Sequence, residues 1–171
     1  MSVSATIHRL SVHAKLVHGR VLAVQTSPTD QIKYFDDLAV AASRAGDSLL
    51  CTSILAGHSS ESDEFCDVGV WLGEGNFGKG NETLVLDTLG LKHGTITSVS
   101  LAHPTNIPTT VRVTSTTTEL DAFAQKLAAL KELHCFSSRS PSSSDVIYSL
   151  IGKSAAGGWG GLVGIGTESD Y

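Results

Sequence analysis

The sequence predicts an α+β fold, an antiparallel sheet backed on one face by two amphipathic helices. Three observations carry that expectation. Residues 109–133 read as a strand running straight into a helix, residues 19–46 carry a fainter copy, and short apolar stretches flank both.

The later copy is the clearer one. Arg112 lies between Val111 and Val113 in a Thr-rich, β-branched run that suits a pleated, half-buried strand. Thr116 and Glu119 then stand at the spacing of a capping box. In such a box the hydroxyl takes an unsatisfied helical N–H, and the carboxylate reaches back to the cap. Leu120, Phe123, Ala124, Leu127, Leu130 and Leu133 recur at helical spacing, with Asp121, Gln125, Lys126 and Lys131 largely off that face. In the earlier copy Ser27 is a good N-cap and Pro28 fits the first helical position. Ile32, Phe35, Ala39 and Ala42 extend one face as far as Gly46, a C-terminal stop.

The copies echo each other in detail. Ser27-x-Thr29-x-x-Ile32-x-x-Phe35 matches Ser115-x-Thr117-x-x-Leu120-x-x-Phe123, and Ile7-x-x-Leu10-Ser11-Val12 matches Ile96-x-x-Val99-Ser100-Leu101. A duplicated strand–strand–helix–strand unit accounts for both echoes, and the pair of halves is similar to a ferredoxin-like or ACT-like arrangement. The expected core covers residues 1–136, with halves at about 5–72 and 94–136. Residues 137–171 follow as a Ser-rich connection, a short helix and a Gly-rich strand packed on that core.

Residues 5–17 alternate apolar and polar as a first strand, turning at 17–20 into a second, antiparallel one. Residues 47–55 read as a third strand, apolar on both faces, and 65–72 as a fourth. Residues 83–89 fit a strand or a short helix, 94–102 open the second unit, and 135–136 start the strand after the main helix. Ser144 or Asp145 is placed to cap a helix over 146–153. The glycines of 157–166 suit a strand whose missing side chains let it pass close to a neighbour.

Composition narrows the partners. A chain of 171 residues, 41% hydrophobic and 17% charged, buries an ordinary globular core. A net charge of −5 without a Lys/Arg cluster argues against a nucleic-acid or anionic-membrane partner. Three cysteines without a CxxC pair fit a reducing compartment, and no apolar leader or membrane-length stretch stands out, so the cytoplasm is the expected location. Dimerisation through an uncovered sheet face is expected from the apolar residues on both sides of 48–55.

Candidate site residues come from three loops and two strand ends. His58 lies in Gly57-His58-Ser59-Ser60, with Asp63, Glu64 and Asp67 close enough in sequence to orient it. His103 and His13 end equivalent strands of the two units, and the three are the candidate acid/base histidines. Cys51 and Cys66 sit among apolar residues and read as buried thiols rather than nucleophiles. His134-Cys135 places two soft ligands side by side, but no tight ligand spacing exists, so no metal is expected and no cofactor is specified. Gly75 and Gly78 of the first glycine-rich loop, and Trp159 of the second, are the candidate ligand contacts, the tryptophan as a stacking platform.

The stretch Leu72-Gly73-Glu74-Gly75-Asn76-Phe77-Gly78-Lys79 resembles the glycine-rich loop that covers ATP phosphates in protein kinases. The resemblance covers those eight residues alone. Gly80 stands where that pattern has valine, and the Val-Ala-Ile-Lys, His-Arg-Asp and Asp-Phe-Gly motifs are missing. The stretch reads as a hairpin loop of turn formers. The functional expectation is a regulatory, non-catalytic module that binds a small ligand or a protein partner. A small enzyme using a loop histidine, and an assembly subunit, are the alternatives.

Overall fold

Strands that bury both faces lose the in–out alternation of a half-exposed strand, and the centre of this fold is built from such strands. The computed structural model describes residues 3–10, 14–25, 29–60, 65–91 and 94–168. Nine-residue strands β6 (Asp145–Lys153) and β7 (Trp159–Thr167) pair antiparallel along their whole length. With β1 (Lys15–His18), β2 (Val21–Ala23), β3 (Val68–Gly73), β4 (Thr95–Val99) and β5 (Lys131–Arg139) they form one sheet of order β1-β2-β3-β7-β6-β5-β4. The β2–β3 pair is parallel and every other pair antiparallel, so the sheet is mixed rather than antiparallel. A parallel pair needs a crossover, and α2 (Thr29–Ser48) lies in that connection.

Successive residues of the central strands divide between two cores, as the pleat requires. Val21, Ala23, Cys135, Leu150 and Leu162 join Phe35, Leu38 and Ala42 of α2 and Leu120, Phe123 and Leu127 of α4 (Thr118–Leu127). Leu22, Phe136, Ile151, Val163 and Ile165 join Leu10 of α1 (Val3–Leu10) and Val85, Leu86 and Leu89 of α3 (Glu82–Leu89). The glycines of β7 open room for this packing. A Cβ on Gly160 would lie 2.6 Å from the Phe35 ring, and one on Gly161 would lie 1.8 Å from the Leu150 carbonyl oxygen.

Helices α2 and α4 are tied directly. Tyr34 donates its hydroxyl to the Lys126 carbonyl, and Ser48 Oγ meets Thr117 Oγ1 at 2.8 Å. The cap of α4 is Thr117, whose side chain accepts the Leu120 N–H, while Thr116 instead donates to Asp121. The cap therefore sits one residue later than its sequence spacing implies, and with Leu120 at the third helical position it is a simple cap rather than a capping box. The earlier cap, Ser27 and Pro28, lies outside the described residues.

Several elements differ from expectation. Residues 3–10 are helical because Thr6 and Leu10, one turn apart, are the positions that bury, and Thr6 donates to the Cys66 carbonyl. The matching segment of the second unit is β4, so the echo of Ile7-x-x-Leu10 with Ile96-x-x-Val99 joins a helix to a strand. Residues 49–55 form no strand. Helix α2 runs past Gly46 to Ser48, and the chain then doubles back through Leu50 at φ 62°, with Cys51 N–H on the Gly46 carbonyl. That removes the strand on which the dimer face rested. Residues 111–113 are also not a strand, because their neighbour Thr110 gives its carbonyl to His58 N–H and Arg112 gives its N–H to the His58 ring. Residues 145–153 are strand β6 rather than a helix, held on both edges by β5 and β7. No described helix is long and apolar enough to cross a membrane.

Candidate functional site

The glycine-rich loop joins β3 to α3 and is not a hairpin. Gly73 and Gly80 take φ values of 82° and 101°, a region that suits glycine. Gly73-x-Gly75-x-x-Gly78 between a strand and a helix is the spacing a phosphate-binding turn needs, but its donors are turned inward. Gly78 N–H goes to the Asn76 side chain, Gly80 N–H to Glu82 Oε2, and Asn81 N–H to the Gly78 carbonyl.

Two ring N–H groups from the sheet hold the loop by its carbonyls. Trp159 Nε1 of β7 donates to Gly75 O at 2.8 Å, and His134 Nε2 of β5 bonds Phe77 O at 2.8 Å. The structure thus brings the expected contacts Gly75, Gly78 and Trp159 together. A Cβ on Gly78 would sit 3.4 Å from the Trp159 ring. The tryptophan is only 3% exposed, however, and its N–H is used inside the protein, so it anchors the loop instead of offering a stacking surface.

Of the three candidate histidines the structure describes two. His58 is half-buried in a short 3-10 turn (Gly57–Ser59), where Nε2 bonds Leu49 O at 3.0 Å and Nδ1 accepts Arg112 N–H at 2.9 Å. Both nitrogens serve main-chain groups, which makes the ring a latch between two loops. Of the acidic residues expected to orient it, Asp63 and Glu64 lie outside the described residues, and Asp67 bonds elsewhere. That carboxylate is fully buried and accepts from Ser53 Oγ at 2.5 Å and Ile54 N at 2.8 Å. His103 is exposed in the turn after β4, and His13 lies outside the described residues. Cys51, Cys66 and Cys135 are free and buried. Burial pushes the Cys51 thiol up to about 11 and Cys135 to about 12, with Asp67 adding to both, so neither is an activated nucleophile.

The residue that sequence reasoning left in the background is His134. Its carbonyl partner can only accept, so Nε2 carries a proton, and in the neutral ring Nδ1 is then the acceptor. The ring is 8% exposed and lies 5.8 Å from Phe136, nearly parallel to it. Nδ1 has no hydrogen-bond partner among the described residues. His134 also lines a cleft of about 390 Å³ at the β4–β5 edge.

Lys79, Glu82, Ser98, Ser100 and Phe136 line this cleft, while Leu101 and Leu133, which border it, pack against the α2/α4 core. A β-bulge between Lys131 and His134, with Glu132 at φ 52°, sets the chain direction beside it. Cys135 lines the same cleft, but its side chain joins the α2/α4 core while Phe136, beside it, joins the α1/α3 core. The described residues hold no group of three or more potential metal ligands. Among known proteins, no family model matches the chain and no curated protein matches it.

Proposed function

We propose that this protein is a small-ligand-binding module whose ligand occupies the cleft between the end of the glycine-rich loop and strands β4 and β5. One observation carries the reading. An almost buried histidine, its tautomer set by a loop carbonyl, leaves Nδ1 without a protein partner in a cleft that also holds a lysine and a carboxylate. A volume of about 390 Å³ suits a small molecule. The same His134 bond ties the cleft to the loop, so occupancy would steady residues 73–80 and give the module a regulatory output.

A thermal-shift screen with nucleotides, metals, amino acids and sugars tests this. A true ligand at a hundred times its Kd stabilises by about 2.7 kcal/mol, and His134→Phe abolishes the shift. A uniformly flat screen sinks the proposal. We take the cytosol as the compartment, on the strength of three free, buried thiols.

One observation favours a second reading, a small enzyme. His134 and Glu82 line the same cleft, and with Nε2 bonded to the loop the neutral ring would present Nδ1 as a general base. This reading moves the acid/base role from His58, His103 and His13 to His134. Turnover of a bound ligand that is lost in His134→Gln, with binding retained, separates it from the first.

A further inference from the structure

We propose that the ligand of this cleft is a small zwitterion of the α-amino-acid type, an inference that rests on the binding reading above. The cleft has two chemical poles. Lys79 has no hydrogen-bond or ion-pair partner among the described residues, and with the hydroxyls of Ser98 and Ser100 it forms a donor pole. Glu82 and His134 form an acceptor pole. One carboxylate oxygen of Glu82 holds Gly80 N–H, the other has no protein partner, and His134 Nδ1 offers a lone pair.

The alternatives each fail at one pole. A phosphate or a simple carboxylate would suit Lys79 but would bring its oxygens against the Glu82 carboxylate and the Nδ1 lone pair. A simple amine would satisfy Glu82 and Nδ1 and meet Lys79 as a like charge. An apolar ligand would strip water from both charges and return nothing. A molecule with an ammonium and a carboxylate a few ångströms apart satisfies both poles. His134 is the deciding group, because a ring that is 8% exposed has few routes to water and its Nδ1 is satisfied only by a donor.

The test is calorimetric titration of the full chain with the twenty common α-amino acids. For any that bind, the matched acid lacking the amine, the matched amine lacking the carboxylate, and inorganic phosphate follow. The expected result is saturable binding of at least one amino acid, with each single-pole analogue at least tenfold weaker. Lys79→Ala and Glu82→Gln are each expected to weaken the amino acid at least tenfold and to leave the unliganded Tm within a degree. Equal binding of the acid or of phosphate, or an unchanged affinity in Glu82→Gln, overturns the inference. If a sugar or nucleotide binds through His134 and no amino acid does, the ligand class falls and the binding reading survives. If no compound binds, both fall.

Discussion

Asp67→Asn is the change whose effect the structure specifies best. Asp67 is fully buried between β3 and the turn at residues 53–56, where Ser53 Oγ and Ile54 N donate to it and Ser53 Oγ in turn accepts Ala56 N–H at 3.1 Å. Burial pushes its pKa up to about 6 from 3.8, against the pull of those donors. A carboxyl that holds its proton more tightly when folded stabilises most below about pH 4, and that contribution is lost as pH rises through about 6. Roughly two pH units at 1.36 kcal/mol each is about 3 kcal/mol over the full span, and about 2 kcal/mol of it falls between pH 4.5 and 7.5.

Asparagine keeps an acceptor for Ile54 N–H, presents its amide to Ser53 Oγ, and cannot ionise. Urea unfolding of both proteins across that range isolates the group, because every other titrating residue is shared. The expected outcome is that Asp67→Asn gains about 2 kcal/mol on the wild type as pH rises from 4.5 to 7.5, whatever its constant offset. A difference that is flat, or that favours the wild type with rising pH, refutes the reasoning. It would mean that the donors hold the carboxylate as an anion and outweigh desolvation.

Three further outcomes follow from packing and caps. Thr117→Ala removes the cap of α4 and is expected to cost about 1 kcal/mol in urea unfolding, with Thr116→Ala costing clearly less. Trp159→Phe keeps the ring but loses the bond to Gly75 O. It is expected to cost about 1 kcal/mol and to speed hydrogen exchange across residues 74–80 more than across β7. Gly161→Ala drives a Cβ against the Leu150 carbonyl at the β6–β7 ladder, with an expected loss of about 3 kcal/mol or more, read as a fall in the denaturation midpoint.

The parts legible in the sequence were those where one local signal acts alone. Helix α4 shows its apolar stripe and its cap to within a residue, and α2 shows Ile32, Phe35, Ala39 and Ala42 on one side. The Gly-rich C-terminus reads as a strand because β7 needs bare backbone where it meets Phe35 and Leu150. Where tertiary contacts decided, local signals misled. Val146 to Ile151 carries apolar residues for two cores at once, and an apolar run of that kind is compatible with either a helix or a strand until β5 and β7 are in place. In 3–10 the two periods share Leu10, so burial of Thr6 settles the matter and no polar/apolar alternation shows it. The β-branched run at 109–117 spends backbone groups on the His58 loop instead of on a ladder. The candidate site was legible only in pieces. Lys79 and the glycines were visible as a loop, but His134 is 57 residues from Phe77, and only the sheet order brings them together.

The most direct test of the central claim is a long-range ¹H–¹⁵N spectrum of the histidine side chains, recorded while the calorimetric ligand is added. The account predicts that the neutral His134 ring carries its proton on Nε2 before addition, and that its Nδ1 resonance moves with occupancy while His58 stays fixed. A proton on Nδ1 in the free protein, or a bound ligand that leaves His134 unmoved, would contradict it.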